Sequence, residues 1–182
     1  MPDLARIRLL AMDVDGTLTD GGIGYADDGR EQKRFHIHDG LGIVLAGFVG
    51  LRIAWITGRA SPLVERRARE LGVADLLQGV RDKAAALTEL GFRLRVGPDE
   101  VAYLGDDLND LPALRRAAVA IAPANAVPEV KAAAHLVTPR AGGHGAARDA
   151  IEQILRARGD YDAAIGAYLL SLSSSHSGPA AA

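Results

Sequence analysis

The chain has no cysteine. Disulfides, thiolate nucleophiles and cysteine-ligated zinc are therefore excluded. It has no basic excess either. The formal net charge is −2, whereas a nucleic-acid binder carries a surplus of lysine and arginine. Nowhere is there a run of about 18 apolar residues, the length a membrane span needs. Residues 1–16 lack a charged leader, a long apolar stretch and a small-residue cleavage site, and their apolar run breaks at Asp13. The expectation is a cytoplasmic protein with no nucleic-acid and no membrane partner. Internal repeats are absent too. What remains is an ordinary globular composition, 48 % hydrophobic and 24 % charged over 182 residues. That suffices for one domain with a sizeable core and is short for two.

Apolar patterning divides the chain into alternating strands and helices. Residues 9–14 are apolar until they reach acid, which reads as a buried strand ending in a polar loop. A β-hairpin is predicted over about 22–36, with residues 23–25 and 33–35 flanking the turn Asp27-Asp28-Gly29. His36 and His38 then alternate with Phe35 and Ile37 and share one strand face. Residues 39–50 have near-helical spacing, and 51–56 form a second buried strand. Ser61, Pro62 and Glu65 make a capping signature for a helix that stops at Gly72. A short strand at 76–78 precedes a helix over 82–90 closed by Gly91. Residues 100–104 are a third clear strand, followed by a short helix from about Leu108. Short strands at 119–121 and 135–137 enclose another helix, and helices follow at 145–156 and 160–170. Residues 171–182 read as a flexible C-terminal tail. The alternation predicts an α/β fold: a Rossmann-like three-layer α/β/α domain over 1–170 with a mainly parallel central sheet. Such sheets bind ligands at the carboxyl ends of their strands.

Four points of the sequence place reactive side chains at those ends. In Asp13-Val14-Asp15-Gly16-Thr17, two carboxylates leave a buried strand and a glycine lets the backbone turn sharply. Thr57-Gly58-Arg59 ends the next strand, and Lys83 stands near a helix start. Gly105-Asp106-Asp107-Leu108-Asn109-Asp110 ends a further strand. Taken singly, each has an ordinary structural explanation. A strand-end Asp commonly caps a turn, and Asp110 in a first helical turn favours the helix dipole.

The four together, in this order, resemble the signature of the haloacid dehalogenase-like phosphatases. The resemblance runs from about Leu9 to Ile154. It implies hydrolysis of a phosphate monoester in two displacements through a covalent carboxyl phosphate. Asp13 is the implied nucleophile, and Asp15 the acid toward the leaving alcohol and then the base toward water. Thr57 and Lys83 would hold the phosphoryl oxygens. An anionic attacker and an anionic phosphate need a cation between them, and hard Mg²⁺ suits oxygen ligands. Asp13 and Asp106 would supply carboxylates and Asp15 its backbone carbonyl. Asp107 or Asp110 would orient metal-bound water from behind.

No interval between these points can hold a cap domain. Only a hairpin and one helix fit between Asp13 and Thr57. An open site leaves the phosphate wet, so closure by a neighbouring subunit is expected. Among capless members, the chain is most similar to the 3-deoxy-D-manno-octulosonate 8-phosphate phosphatases, which are tetramers acting on a sugar-acid phosphate. The likeness lies in residues 13–21, 35–43, 56–72 and 141–146. It implies a homotetramer and a substrate site made from Gly16, Gly58, Arg59, Arg67, His36, His38, Asp39, Gly40 and His144. His38 and His144 stand where that family has arginine, and a histidine carries only fractional charge near neutral pH.

Other readings use the same residues. A phosphatase for a nonulosonate 9-phosphate, or one with broad sugar-phosphate selectivity, would share the chemistry. A non-catalytic oligomerising module would not need Asp13, Asp15, Thr57, Lys83 and Asp106 together. A phosphomutase needs a cap, and a receiver domain does not carry its acids in this order. A zinc site at His36 and His38 lacks a matching third ligand.

Overall fold

The computed structural model describes residues 3–174. In chain order its elements are β1 (Leu9–Met12), a hairpin of β2 (Gly24–Tyr25) and β3 (Glu31–Gln32), α1 (Ile37–Phe48), β4 (Arg52–Ile56), α2 (Pro62–Glu70), β5 (Asp75–Leu77) and α3 (Lys83–Leu94). They continue with β6 (Val101–Leu104), α4 (Leu111–Arg116), β7 (Val119–Ala122), α5 (Pro128–Ala133), β8 (Leu136–Val137), α6 (Ala146–Arg158) and α7 (Tyr161–Ser174).

Six strands form one sheet in the order β5-β4-β1-β6-β7-β8. Every pairing in it is parallel. Side chains alternate between its two faces. Leu10, Met12, Trp55, Leu104 and Ile121 meet residues of α1, α2, α6 and α7 on one face. Leu9, Ala11, Ile56, Tyr103 and Ala120 meet those of α3, α4 and α5 on the other. Because both faces are covered, the central strands read as continuous apolar runs rather than alternating ones. The three-layer α/β/α arrangement is therefore the one expected. Between β1 and β4 the described chain holds only the hairpin and α1.

Local deviations have physical causes. The hairpin returns through Glu31–Gln32 instead of 33–35. Its turn is the expected one, with Gly29 at φ 78°. Phe35 makes only an isolated bridge to Thr19. Its ring stacks on Trp55, centroids 6.2 Å apart and planes 12° apart, so packing takes precedence over pairing. The helix expected from Asp39 begins at Ile37. His36 and His38 therefore share no strand face: His36 precedes α1 and His38 lies in its first turn. Their rings still meet edge-to-face at 5.0 Å.

Ser61 does not cap α2 with its side chain. Its hydroxyl donates instead to Glu31 Oε2 at 2.6 Å, and Glu65 accepts from Gln78. The helix over Lys83–Leu94 runs through Gly91 and ends at Arg95, a left-handed residue at φ 55°. Gly91 is buried in that helix, where a Cβ would press on the Val96 carbonyl. Helix α7 continues to Ser174, beyond the point where the tail was expected to start. The rest of that expectation, 175–182, lies outside the described residues.

Candidate active site

The three central strands deliver their carboxyl ends side by side. Asp13 follows β1, Thr57 follows β4 and Asp106 follows β6 by one residue. Asp13 and Thr57 are 4 % and 1 % exposed. Lys83 is the first residue of α3, which packs on one face of the sheet, and is buried as well. Its ammonium donates to Asp13 Oδ1 and Asp110 Oδ1, both at 2.7 Å. Two of its three hydrogens are thereby engaged and one is left for another oxygen.

Asp110 is held from every side. Tyr103 donates to Oδ1 at 2.9 Å, and the amides of Asp106 and Asp107 donate to Oδ2 at 3.0 and 3.3 Å. This carboxylate folds the Gly105–Asp110 loop around itself. Asp107, by contrast, is exposed and accepts from the Leu108 amide at 2.7 Å. Of the two acids expected behind the metal, Asp110 faces the cluster and Asp107 caps the short turn that follows.

Carboxylate oxygens of Asp13, Asp106 and Asp110 lie within 4.8 Å of one another. A single buried lysine cannot neutralise three carboxylates. The Asp13 carboxyl is pushed up to about 7, first by burial and then by Asp110, with Lys83 opposing. The Asp106 carboxyl is pushed up to about 6, mainly by burial and further by Asp110 and Asp107. Burial would lower the Lys83 ammonium, but Asp13 and Asp110 raise it above its ordinary value. The site thus holds surplus negative charge on hard oxygen donors, which is the chemistry of a Mg²⁺ site. Asp110 is committed to Lys83, Tyr103 and two amides. Asp13 gives one oxygen to Lys83 and Asp106 gives one to Thr17, so each carboxylate is less committed than Asp110.

Close backbone packing sets this geometry. Gly16 has φ +96°, and a Cβ there would sit 2.1 Å from Asp106 Oδ2. Thr17 donates to Asp106 Oδ1 at 2.8 Å. The 141–146 loop lies directly on the first-motif loop. A Cβ on Gly142 would meet the Gly16 carbonyl at 1.8 Å. Asn125 bridges the two loops, donating to the Gly16 carbonyl at 3.1 Å and accepting from the Gly142 amide at 2.6 Å. His144 rides on this loop with Nδ1 2.9 Å from its Gly142 carbonyl. Gly58 and Arg59 sit in the loop after β4, where the Arg59 amide donates to Thr57 Oγ1 at 3.3 Å. The Thr57 hydroxyl reaches Asp15 Oδ2 at 3.5 Å.

Asp39, Gly40 and Arg67 lie at the start of α1 and in α2, apart from the acidic cluster. Asp39 is 2 % exposed, and its Oδ1 accepts from the Arg148 amide at 2.7 Å, capping α6 from α1. Burial raises its carboxyl above the usual range, and that amide opposes the rise. Arg67 lies in the contact between α1 and α2, where a Cβ on Gly40 would touch its Nη2 at 2.4 Å. His36, Asp39, Gly40 and Arg67 line one small internal cavity with Trp55 and Leu18, and no residue of the acidic cluster lines it. These residues pack at the junction of α1 with α2 and α6, where His36 Nδ1, Asp39 Oδ2 and Arg67 Nε are buried without a hydrogen-bond partner. Sequence reasoning missed Tyr103, Asn125 and Thr17. Tyr103 is hidden in an apolar strand and Asn125 in a polar loop, and neither stands out without the fold.

Acids at the carboxyl ends of a parallel sheet, a buried lysine between two of them and a cleft without a cap define a class. Residues 53–149 match the haloacid dehalogenase-like hydrolase family model, and the chain belongs to that family. Within it, the chain is 42 % identical over 166 residues to the 3-deoxy-D-manno-octulosonate 8-phosphate phosphatase of Salmonella typhi, covering 91 % of this chain and 88 % of the relative. The Moraxella catarrhalis phosphatase of that name, solved with magnesium, phosphate and 3-deoxy-D-manno-octulosonate, superposes with a TM-score of 0.88 at 42 % identity. That match covers 91 % of this chain and 95 % of the other. The cobalt-bound Haemophilus influenzae enzyme gives a TM-score of 0.84 at 37 % identity, covering 87 % and 93 %.

Proposed function

We propose that this protein hydrolyses 3-deoxy-D-manno-octulosonate 8-phosphate to the free sugar acid and phosphate. The observation that carries the reading is the under-neutralised cluster of Asp13, Asp106 and Asp110. It lies at the strand ends of a chain 42 % identical to a protein solved with magnesium, phosphate and that sugar acid.

An Asp13 carboxylate oxygen attacks phosphorus while the bond to the sugar oxygen breaks. Asp15 gives its proton to that oxygen. Asp15 then takes a proton from the water that attacks the acyl phosphate, releasing inorganic phosphate and restoring Asp13. Lys83 orients Asp13 and offers its remaining hydrogen to a phosphoryl oxygen, and Thr57 does the same from β4. Mg²⁺, held by the carboxylates of Asp13 and Asp106 and the Asp15 carbonyl, would screen the charge between attacker and phosphate. Asp110 keeps Lys83 and the Asp106 loop in register. Gly58, Arg59, His38 and His144 would meet the sugar acid, while buried Gly16 keeps the nucleophile loop close against Asp106.

The setting we assign is a cytoplasmic homotetramer. Support comes from the uncapped cleft and from Ile23 and Tyr25 on the hairpin, 54 % and 66 % exposed. Such side chains suit burial against a second copy. Light scattering reads the subunit number directly. Phosphate release with Mg²⁺, across eight- and nine-carbon keto-acid phosphates and neutral sugar phosphates, tests the substrate. The eight-carbon acid is expected to turn over fastest. Faster turnover of a neutral sugar phosphate would overturn the reading.

A further inference from the structure

The hairpin is apolar outside and charged inside. Ile23 and Tyr25 face solvent, whereas the Lys33 side chain, just past β3, is 2 % exposed. A lysine beside a short surface hairpin ordinarily keeps its ammonium in water. Burying it is unfavourable unless opposite charges meet it. Here two do. Lys33 Nζ pairs with Asp15 Oδ1, and more distantly with Glu31 Oε1 at 3.4 Å. Glu31 is tied in turn to the loop after β4, accepting from Ser61 Oγ at 2.6 Å and from Arg59 Nη2 at 3.0 Å. The other Asp15 oxygen faces the Thr57 hydroxyl. The Asp15 carboxylate is therefore gripped from the hairpin on one oxygen and from β4 on the other.

We infer that Lys33 is a positioning residue for Asp15. It docks the chain's own hairpin on the cleft and fixes one rotamer of the Asp15 carboxylate, which sets the path of its proton to the leaving oxygen. The inference rests on the reading of Asp15 as that acid. Lys33 belongs to none of the four motif points, so nothing in their pattern marks it.

The test compares two leaving groups in the full-length, Mg²⁺-loaded enzyme. A sugar-acid phosphate needs its alkoxide protonated; p-nitrophenyl phosphate, with a far more acidic leaving group, does not. Lys33→Met keeps the length of the side chain and removes the charge. It is expected to lower kcat on the sugar-acid phosphate about 10²-fold with KM within about 3-fold, and kcat on p-nitrophenyl phosphate by less than about 5-fold. Lys33→Arg should recover most of the loss. Equal losses on both substrates, a change confined to KM, or no loss would overturn the inference. Asp15→Asn is run in parallel. If it shows the leaving-group split and Lys33→Met does not, the Lys33 inference alone fails. If Asp15→Asn slows both substrates alike, the acid reading fails and the inference falls with it. Should the methionine variant not fold, Lys33→Gln is read by the same criteria.

Discussion

Two polar clusters in this molecule read alike in sequence and act differently in space. One is the acid cleft of Asp13, Asp106, Asp110 and Lys83. The other is the helix junction of His36, Asp39, Gly40 and Arg67. Both hold buried carboxylates and both lie beside glycines. In the cleft, three carboxylates share one lysine, and burial pushes two of them up to about 7 and about 6. In the junction, Asp39 spends an oxygen on the first turn of α6, and Gly40 makes room for Arg67. Surplus charge marks a site that awaits a partner. In the junction the Asp39 oxygen that takes the Arg148 amide sits beside Asp39 Oδ2, His36 Nδ1 and Arg67 Nε, which are buried without a hydrogen-bond partner. The two clusters differ in charge balance: three carboxylates share one lysine in the cleft, whereas the junction holds one carboxylate and one arginine.

Replacing Asp13 gives the largest expected effect. Asp13→Asn removes the attacking oxygen and leaves Lys83 its bond to Asp110. Turnover should fall at least about 10⁴-fold with the melting temperature nearly unchanged, as for loss of a nucleophile. Steady-state phosphate release and a thermal melt check both halves. Gly142→Ala comes next. A Cβ would meet backbone at the Gly16 carbonyl, so the loop carrying Asp15 must shift. A displacement near 1 Å lowers kcat about 10²-fold. A crystal structure of the variant would show whether that loop has moved.

The helix junction should respond the other way. Asp39→Ala removes the cap on α6 and is expected to destabilise by about 1–2 kcal/mol. Its kcat should stay within about 3-fold of wild type, a margin far below the loss from a catalytic group. Denaturant melts and initial rates on one preparation decide it. A large kcat loss in a folded Asp39 variant would break the contrast between the two clusters.

The smallest effect is a pH slope. Asp13 and Asp106 titrate higher in the folded chain than in the unfolded one, where 3.8 is the ordinary value. The folded state therefore binds more protons between the two values, and metal-free stability falls as pH rises from about 4 to about 7. Asp39, also raised, contributes with the same sign. Saturating Mg²⁺ should remove the part due to the cleft and leave the part due to Asp39. Thermal melts with Mg²⁺ and with chelator, at several pH values, measure the difference. A slope unaltered by Mg²⁺ would separate the ion from these acids.

The sheet and most helices were legible because buried parallel strands are continuous apolar runs ending in acid or hydroxyl. The cleft was legible because Asp13, Thr57, Lys83 and Asp106 each sit at an element end. The hairpin and the start of α1 were read less well. Alternation over Phe35 to His38 mimics a strand, yet Phe35 stacks on Trp55 and the helix starts at Ile37. The second role of Asp110 could not be read either. It depends on Tyr103, whose hydroxyl is visible only once β6 and the following loop are folded together. Arg67 looked like a substrate arginine in a charged helix; the folded chain shows it beside Gly40 between α1 and α2, with its Nη1 paired to Glu70 at 3.2 Å.

The central claim is that Asp13 itself carries the phosphoryl group. The direct measurement is acid quench of Mg²⁺-loaded enzyme turning over 3-deoxy-D-manno-octulosonate 8-phosphate, followed by peptide mass spectrometry. The expected result is a phosphoryl adduct on the peptide containing Asp13, absent in Asp13→Asn. An adduct on another residue, or retained turnover in Asp13→Asn, would contradict the account.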